Sequence, residues 1–252
     1  DQDKTSVLRL GHDSALTAAN DVTMNFNSIL QVGGRTATIG SLRTLGGNGS
    51  FNGDAGTMSA SSNGSTEIIE NASETAAALT IMQSTPSTFE VAWDAKFRNG
   101  TLNSQFFSTG TNTHLPAAAL SLVKAGSGWS VLTLDNDYTG ATTVAGGILQ
   151  VGRDGVGDTG ANNAGGTTVN SGAILAGTGW VQGGLTVQSG AIVSPGDAGG
   201  AALGTLNVNG TALFAAGSKA LLQVKAPTYN NPGVVDALDA NYSAWISSIG
   251  ND

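Results

Sequence analysis

The chain has 252 residues, a net charge of −8 with only 10 Lys and Arg, and no cysteine. These numbers exclude disulfides, thiolate metal sites and cysteine nucleophiles, and they leave no basic cluster to neutralise nucleic-acid phosphates or an anionic membrane. Charged residues are only 11%, glycine fills 37 positions and the hydrophobic fraction is 40%, a polar yet core-forming mixture that suits short strands and tight turns rather than disorder.

Short strands are expected from the start. Val22 to Val32 alternates in part, with Thr, Asn and Ser between apolar positions, and Gly33-Gly34 closes it. Residues 46–64 are turn-rich. Strand candidates resume at Ala78-Leu-Thr-Ile-Met82 and Ser87 to Trp93, although Ala72 to Leu79 also fits a short helix. Residues 94–116 break the rhythm with Lys96, Phe97, Arg98, Phe106, Phe107 and His114. They read as a loop leaving the wall, against the plainer alternative that the phenylalanines fill the core of ordinary coils. The words Ile29-Leu-Gln-Val-Gly33 and Ile148-Leu-Gln-Val-Gly152 are identical, which supports a common repeat ancestry.

From Leu120 the rhythm is regular. Thr168-Val-Asn-Ser-Gly-Ala-Ile-Leu175 returns as Thr186-Val-Gln-Ser-Gly-Ala-Ile-Val193 and, more loosely, as Leu206 to Leu213, and it is prefigured at Thr143 to Leu149. The repeat valines at 144, 169, 187 and 208 are 25, 18 and 21 residues apart. A strand-turn-strand unit recurring at that interval cannot bury its own apolar face, so successive units stack into coils. Inside such a stack Val, Ile and Leu face the lumen, while Thr, Asn, Gln and Ser face solvent. Gly147, Gly172 and Gly190 fall at corners where a positive φ is expected, and Asn170, Gln188 and Asn209 are candidates for an amide ladder. The fold expected is all-β, a parallel β-helix (β-solenoid); the rival, a β-sandwich, rarely repeats a sequence word. Residues 1–252 read as a single segment, clearest over 120–215, with 227–252 ending the stack or starting another module.

The stretch from Leu122 to Gly152 resembles the autotransporter-associated β-strand repeat. It has a Lys-x-Gly-x-Gly turn from Lys124, a Leu-Thr-Leu strand, an Asn-x-Tyr-Thr-Gly turn at Asn136, Tyr138, Thr139 and Gly140, then Thr-Val and Gly-x-Leu-x-Val-Gly. The resemblance covers about residues 120–215 well and 20–90 loosely. It implies a right-handed parallel β-helix, the passenger of a type V secretion system displayed on or shed from a Gram-negative surface, where many relatives are adhesins or virulence factors. It carries no catalytic residues to transfer.

Chemistry is otherwise sparse. His12 and His114 are the available imidazole bases, and no nucleophile elbow followed by a helix accompanies them. Asp135 and Asp137 are two apart, yet they sit in the repeat's turn, where Asp caps backbone. Gly155 to Gly160 matches Gly-x-Gly-x-x-Gly without a following helix. Asp154 with Asp158, and Asp236 with Asp239, lack calcium-loop spacing. No catalytic, cofactor-binding or metal-ligating residue is assigned, and no cofactor is expected. No apolar run reaches the ~18–20 residues of a membrane span, and no signal pattern opens the chain, so export signals are expected elsewhere in a longer protein.

The function expected is a non-enzymatic, exported segment at the bacterial cell surface or in the extracellular space, an adhesin or stalk mediating attachment or self-association. Its partners would be a host surface or glycan, or copies of itself, with no nucleic acid and no membrane insertion. The alternative is a carbohydrate-active enzyme on a parallel β-helix, for which a groove of acids and cations would speak.

Overall fold

The computed structural model describes residues 6–25, 27–45, 67–84, 90–101, 116–153, 157–160, 165–198 and 203–222. The chain divides into two units, residues 1–222 and 223–252; the second lies outside the described residues, and with it the expectation placed on 227–252.

The described residues form strands of two to five residues in parallel sheets. The first sheet holds β1 (Ser6–Arg9), β3 (Ser28–Gln31), β6 (Glu67–Glu70) and β9 (Ala95–Arg98). The second holds seven strands in the order β4 (Thr36–Ile39), β7 (Ala77–Ile81), β10 (Leu120–Lys124), β12 (Thr142–Val144), β14 (Thr167–Val169), β17 (Leu185–Val187) and β20 (Ala212–Phe214). The third holds β8 (Glu90–Trp93), β11 (Trp129–Leu132), β13 (Ile148–Val151), β15 (Ile174–Gly177), β18 (Ile192–Pro195) and β21 (Lys219–Ala220). Two further pairs are β2 (Asp21–Met24) with β5 (Ser41–Thr44), and β16 (Trp180–Gln182) with β19 (Asn207–Asn209). Single bridges, Arg98 with Asp137 and Asp158 with Trp180, carry the line of the first sheet on to β16 and β19. The Asp158 amide, which donates to the Leu134 carbonyl at 3.3 Å, lies on the same line.

The chain visits these sheets in rotation. β3, β4 and β5 are followed by β6, β7 and β8, then by β9, β10 and β11; β6 pairs in parallel with β3 and β9 with β6, β7 with β4 and β10 with β7, and β11 with β8, while β5 pairs with β2. Parallel neighbours need a long crossover, and here the crossover is the rest of the coil. All-β, with parallel strands gathered in long sheets, this arrangement is consistent with a β-solenoid.

The register explains the composition. On the second sheet Thr38, Thr80, Val123, Thr143, Thr168 and Thr186 occupy one half-exposed line. The flanking line, Ile39, Ile81, Lys124, Val144, Val169 and Val187, is wholly buried. The third sheet adds Leu149, Leu175 and Val193 to the core, and the first adds Leu30, Ile69 and Phe97. Alternation with a period of two puts apolar side chains inside and short polar ones outside. The corner glycines have the expected backbone, with φ of 62° at Gly147 and 77° at Gly172 and Gly190.

Several readings change. Residues 77–81 are strand, not helix, because every second side chain faces the core. Ala95–Arg98 is an ordinary rung with Phe97 fully buried; of the expected excursion, residues 102–115 lie outside the described residues, with Phe106, Phe107 and His114. The two identical Ile-Leu-Gln-Val words lie on different sheets, β3 on the first and β13 on the third. They share a local form, three buried residues leading to a positive-φ glycine at 33 and at 152, rather than a place in the coil. Val208 lies on β19, and Phe214 rather than Val208 follows Val187 in register. A period of two reports which side of a strand is apolar and is blind to which sheet the strand joins.

Candidate functional site

The motif region is a set of corners held by side chains. Lys124 lies in the aliphatic line between Ile81 and Val144 and is fully buried. Its Nζ donates to three carbonyl oxygens, Gly126 at 2.9 Å, Gly128 at 2.5 Å and Gly146 at 2.9 Å. A buried ammonium is costly unless its hydrogens are satisfied; the Gly-x-Gly turn supplies two acceptors and Gly146, one coil on, the third. Burial lowers its pKa to about 8, so the cation persists at neutral pH. The strand Leu120-Ser-Leu-Val-Lys124 places the lysine inward by alternation alone, a signal that the sequence held.

The Asn-x-Tyr-Thr-Gly turn works in a similar way. Buried Asn136 accepts the Phe97 amide proton at 2.9 Å and donates from Nδ2 to Leu134 O at 2.9 Å and Asp158 O at 2.7 Å. It thereby ties three successive coils together. Tyr138 is fully buried, with its hydroxyl 2.6 Å from Thr142 Oγ1 and its ring edge-on to Phe97. Burial raises the phenol's pKa well above its usual value. Gly140 leaves no room for a side chain, since a Cβ there would overlap the Leu120 carbonyl oxygen.

The side of the first sheet opposite Leu30, Ile69 and Phe97 collects charged side chains, with Gln31 and Glu70 buried among them. Arg9, Gln31, Glu70 and Arg98 are in register on four successive strands. Arg9 donates to Gln31 Oε1 (2.7 Å), Gln31 to Glu70 Oε1 (2.7 Å), and Arg98 to Glu70 Oε2 (2.7 Å from NH2). Further along, Lys96 pairs with Asp137 at 2.5 Å and Asp135 accepts the Gly157 amide at 3.1 Å. Asp158 accepts the Asn136 amide at 2.6 Å and the Gly160 amide at 3.1 Å. Burial pushes its carboxyl above the usual range; these two bonds and one from the Gln182 side chain oppose that push, and the charge of Asp135 reinforces it. Trp180 and Gln182 stand beyond Asp158 on the same line, facing Asn207 and Asn209 of the next strand. The amide pair that forms is Asn209 to Gln182, at 2.9 Å; Asn170 and Gln188 lie on the second sheet's line, where the next rung supplies Ala215.

The candidate residues therefore divide. Asp135, Asp137 and Asp158 come together on one face, each joined to backbone or a counter-ion. His12 lies apart, its Nδ1 accepting the Ser14 amide at 3.1 Å, while Asp154, Asp236 and Asp239 lie outside the described residues. Among the described residues no group of three or more His, Cys, Asp or Glu could hold a metal ion, and no helix is long and apolar enough to cross a membrane. Trp180 escaped the sequence reading, because Trp-Val-Gln in a repeat looks like one more strand.

These corners and stacked parallel strands define a class, the repeat-built all-β stack. Residues 122–151, which carry the Lys124 and Tyr138 corners, match the Passenger-associated-transport-repeat family. Over 83 residues the chain is 41% identical to the Adhesin BmaC autotransporter of Brucella suis biovar 1 (strain 1330), a stretch that is 33% of this chain and 2% of that protein. No solved structure matches the chain. The repeat match is confined to residues 122–151, and the aligned stretch spans about 2% of the length of that curated relative.

Proposed function

We propose that the chain is a length of right-handed parallel β-helix that acts without catalysis, as an adhesive stalk segment of a longer surface protein, in attachment and in self-association. Right-handed winding is the general preference of crossovers between parallel strands. The observation that carries the reading is where apolar surface is left open. Among the described residues the exposed large hydrophobics are Val7 and Leu8 on β1, Leu203, Leu213, Phe214, Leu221 and Leu222 in the last coil, and Trp180. Among the described residues the wall carries mainly threonine, amides and paired charges, whereas the first and last described coils present apolar side chains. Apolar side chains on these coils favour covering by further coils or by a second copy, with the wall left for a host surface or glycan.

Solution scattering across a concentration series tests this. Rods that lengthen with concentration, and stop lengthening in Leu213→Lys/Leu222→Lys, support self-association. A fixed length would remove that part and leave the stalk. Binding of segment-coated beads to host cells tests attachment.

One observation favours a second reading, a carbohydrate-active enzyme. Asp158, with its raised pKa, lies beside Asp135 on one outer face, as an acid and its partner would. Release of reducing ends from a polysaccharide, abolished in Asp158→Asn, would establish it. Absence of turnover by the unaltered chain would dismiss it.

A further inference from the structure

We propose that the outer wall around Trp180 is a binding subsite for a neutral saccharide, an inference that rests on the attachment reading and names its ligand class. Trp180 is 46% exposed, and among the described residues it is the one large hydrophobic open to solvent away from the two end coils. Equivalent outward positions on the second sheet before the last coil carry threonine or, at 123, valine, and no aromatic. An indole held on a wall of parallel strands gains little there unless something stacks on it, because leaving apolar area in water forfeits its burial energy.

The groups around it fit a sugar. Asp158 lies against Trp180 on one side and Asn207 on the other, with Gln182 and Asn209 one position along. Each is fixed before any ligand arrives. Asp158 is held by the amides of Asn136 and Gly160 and by the Gln182 side chain. Gln182 accepts from Asn209 at 2.9 Å, and Asn207 donates to Gly179 O at 3.3 Å, which keeps its own side-chain oxygen as an acceptor. Orienting a few polar groups around an apolar platform is the usual anatomy of small-ligand recognition, and polar groups that are already ordered cost little to dock against. A pyranose offers a C–H face to stack on the indole and a rim of hydroxyls to donate to carboxylate and amide oxygens. Asp158 lies beside the platform in register with Trp180, with Asp135 close to it, so the local carboxylate charge repels an anion. That charge disfavours sialic and uronic acids and selects an uncharged sugar.

The test is isothermal titration calorimetry of the whole segment with neutral hexose and N-acetylhexosamine oligosaccharides, and with sialylated and uronate-containing counterparts. Binding of a neutral oligosaccharide, weakened at least about tenfold in Trp180→Ala and partly retained in Trp180→Phe, supports the subsite. Gln182→Ala/Asn209→Ala should weaken it less, and Leu213→Lys/Leu222→Lys should leave it unchanged. Matching circular dichroism melts for the Trp180 variants separate lost recognition from lost folding. No binding of neutral sugars, preference for the charged ones, or binding indifferent to Trp180→Ala overturns the proposal. Cell attachment that survives Trp180→Ala with no sugar bound would leave the adhesive reading standing while this one fell. A loss of attachment without sugar binding would assign Trp180 to a protein partner and also overturn it.

Discussion

The coils up to Val144 and the coils after it are built on different principles. In the later part the second and third sheets advance by 25 and 26 residues, and then by 18 and 18. Their core is a run of Val, Leu and Ala with threonine outside. The earlier part takes steps of 42 and 43 residues on the second sheet before a step of 20. Its core contains Trp93, Phe97, Tyr138 and Lys124, all fully buried. Uniform coils are held by like stacking on like. Irregular coils need side chains that reach across to backbone, and those lie at the corners.

The largest expected effect breaks the irregular part at its tightest corner. Gly140→Ala would drive a Cβ into the Leu120 carbonyl, backbone of the neighbouring coil that no rotamer change can move. We expect a loss of at least about 3 kcal/mol, read as a collapse of the denaturation midpoint with loss of β-sheet circular dichroism on mild warming.

This contrast also explains what the sequence disclosed. The Thr-Val and Ile-Leu words made the parallel stack legible, because coils in like environments repeat like residues. The sheet to which each strand belongs was not legible, as the two Ile-Leu-Gln-Val words and Val208 demonstrate, since alternation is identical on all faces. The outer line from Arg9 through Glu70 to Trp180 was hidden for another reason. Its members lie 22, 39, 28 and more residues apart in the chain and meet only once the coil lengths are known. Asp135 and Asp137 were read as turn residues, and Asp135 does accept the Gly157 backbone amide; the Asp137 pairing with Lys96 was beyond reach.

A second perturbation removes the buried cation. Lys124→Met keeps the length and apolar stem but leaves the Gly126, Gly128 and Gly146 oxygens without the ammonium. The expected cost is about 2 kcal/mol at pH 7. The pH dependence gives a sharper signature. The folded lysine titrates at about 8 and the unfolded one at about 10.4. Between those values the unfolded chain binds more protons, so stability rises with pH, by at most about 1.4 kcal/mol per unit. Urea midpoints at pH 8, 9 and 10 should climb in the unaltered chain and stay flat in Lys124→Met. A climb in both would assign the effect elsewhere.

Tyr138 sets the opposite slope further up. Its folded pKa is raised by burial, so above about pH 10, where an unfolded tyrosine ionises, the unfolded state sheds a proton that the folded state keeps. Stability must fall there. Tyr138→Phe should lose about 1 kcal/mol at neutral pH, for the bond to Thr142, and should flatten the fall above pH 10. The same variant leaves the Lys124 rise intact, because the two groups titrate independently.

The smallest change is the one that sharpens the comparison most. Gly172 sits at a corner of the uniform part with φ of 77° and nothing within 4 Å of where a Cβ would go. Gly172→Ala therefore incurs left-handed backbone strain alone, about 1 kcal/mol, with no collision. Set beside Gly140→Ala, it separates two uses of glycine in one stack: permission to turn, and permission to approach. If the corners of both parts worked alike, the two substitutions would lower the midpoint equally. The geometry requires the Gly140 loss to be severalfold larger, because Gly172 serves only to turn, whereas at Gly140, as at Gly177 in the later part, the neighbouring backbone occupies the space a side chain would fill.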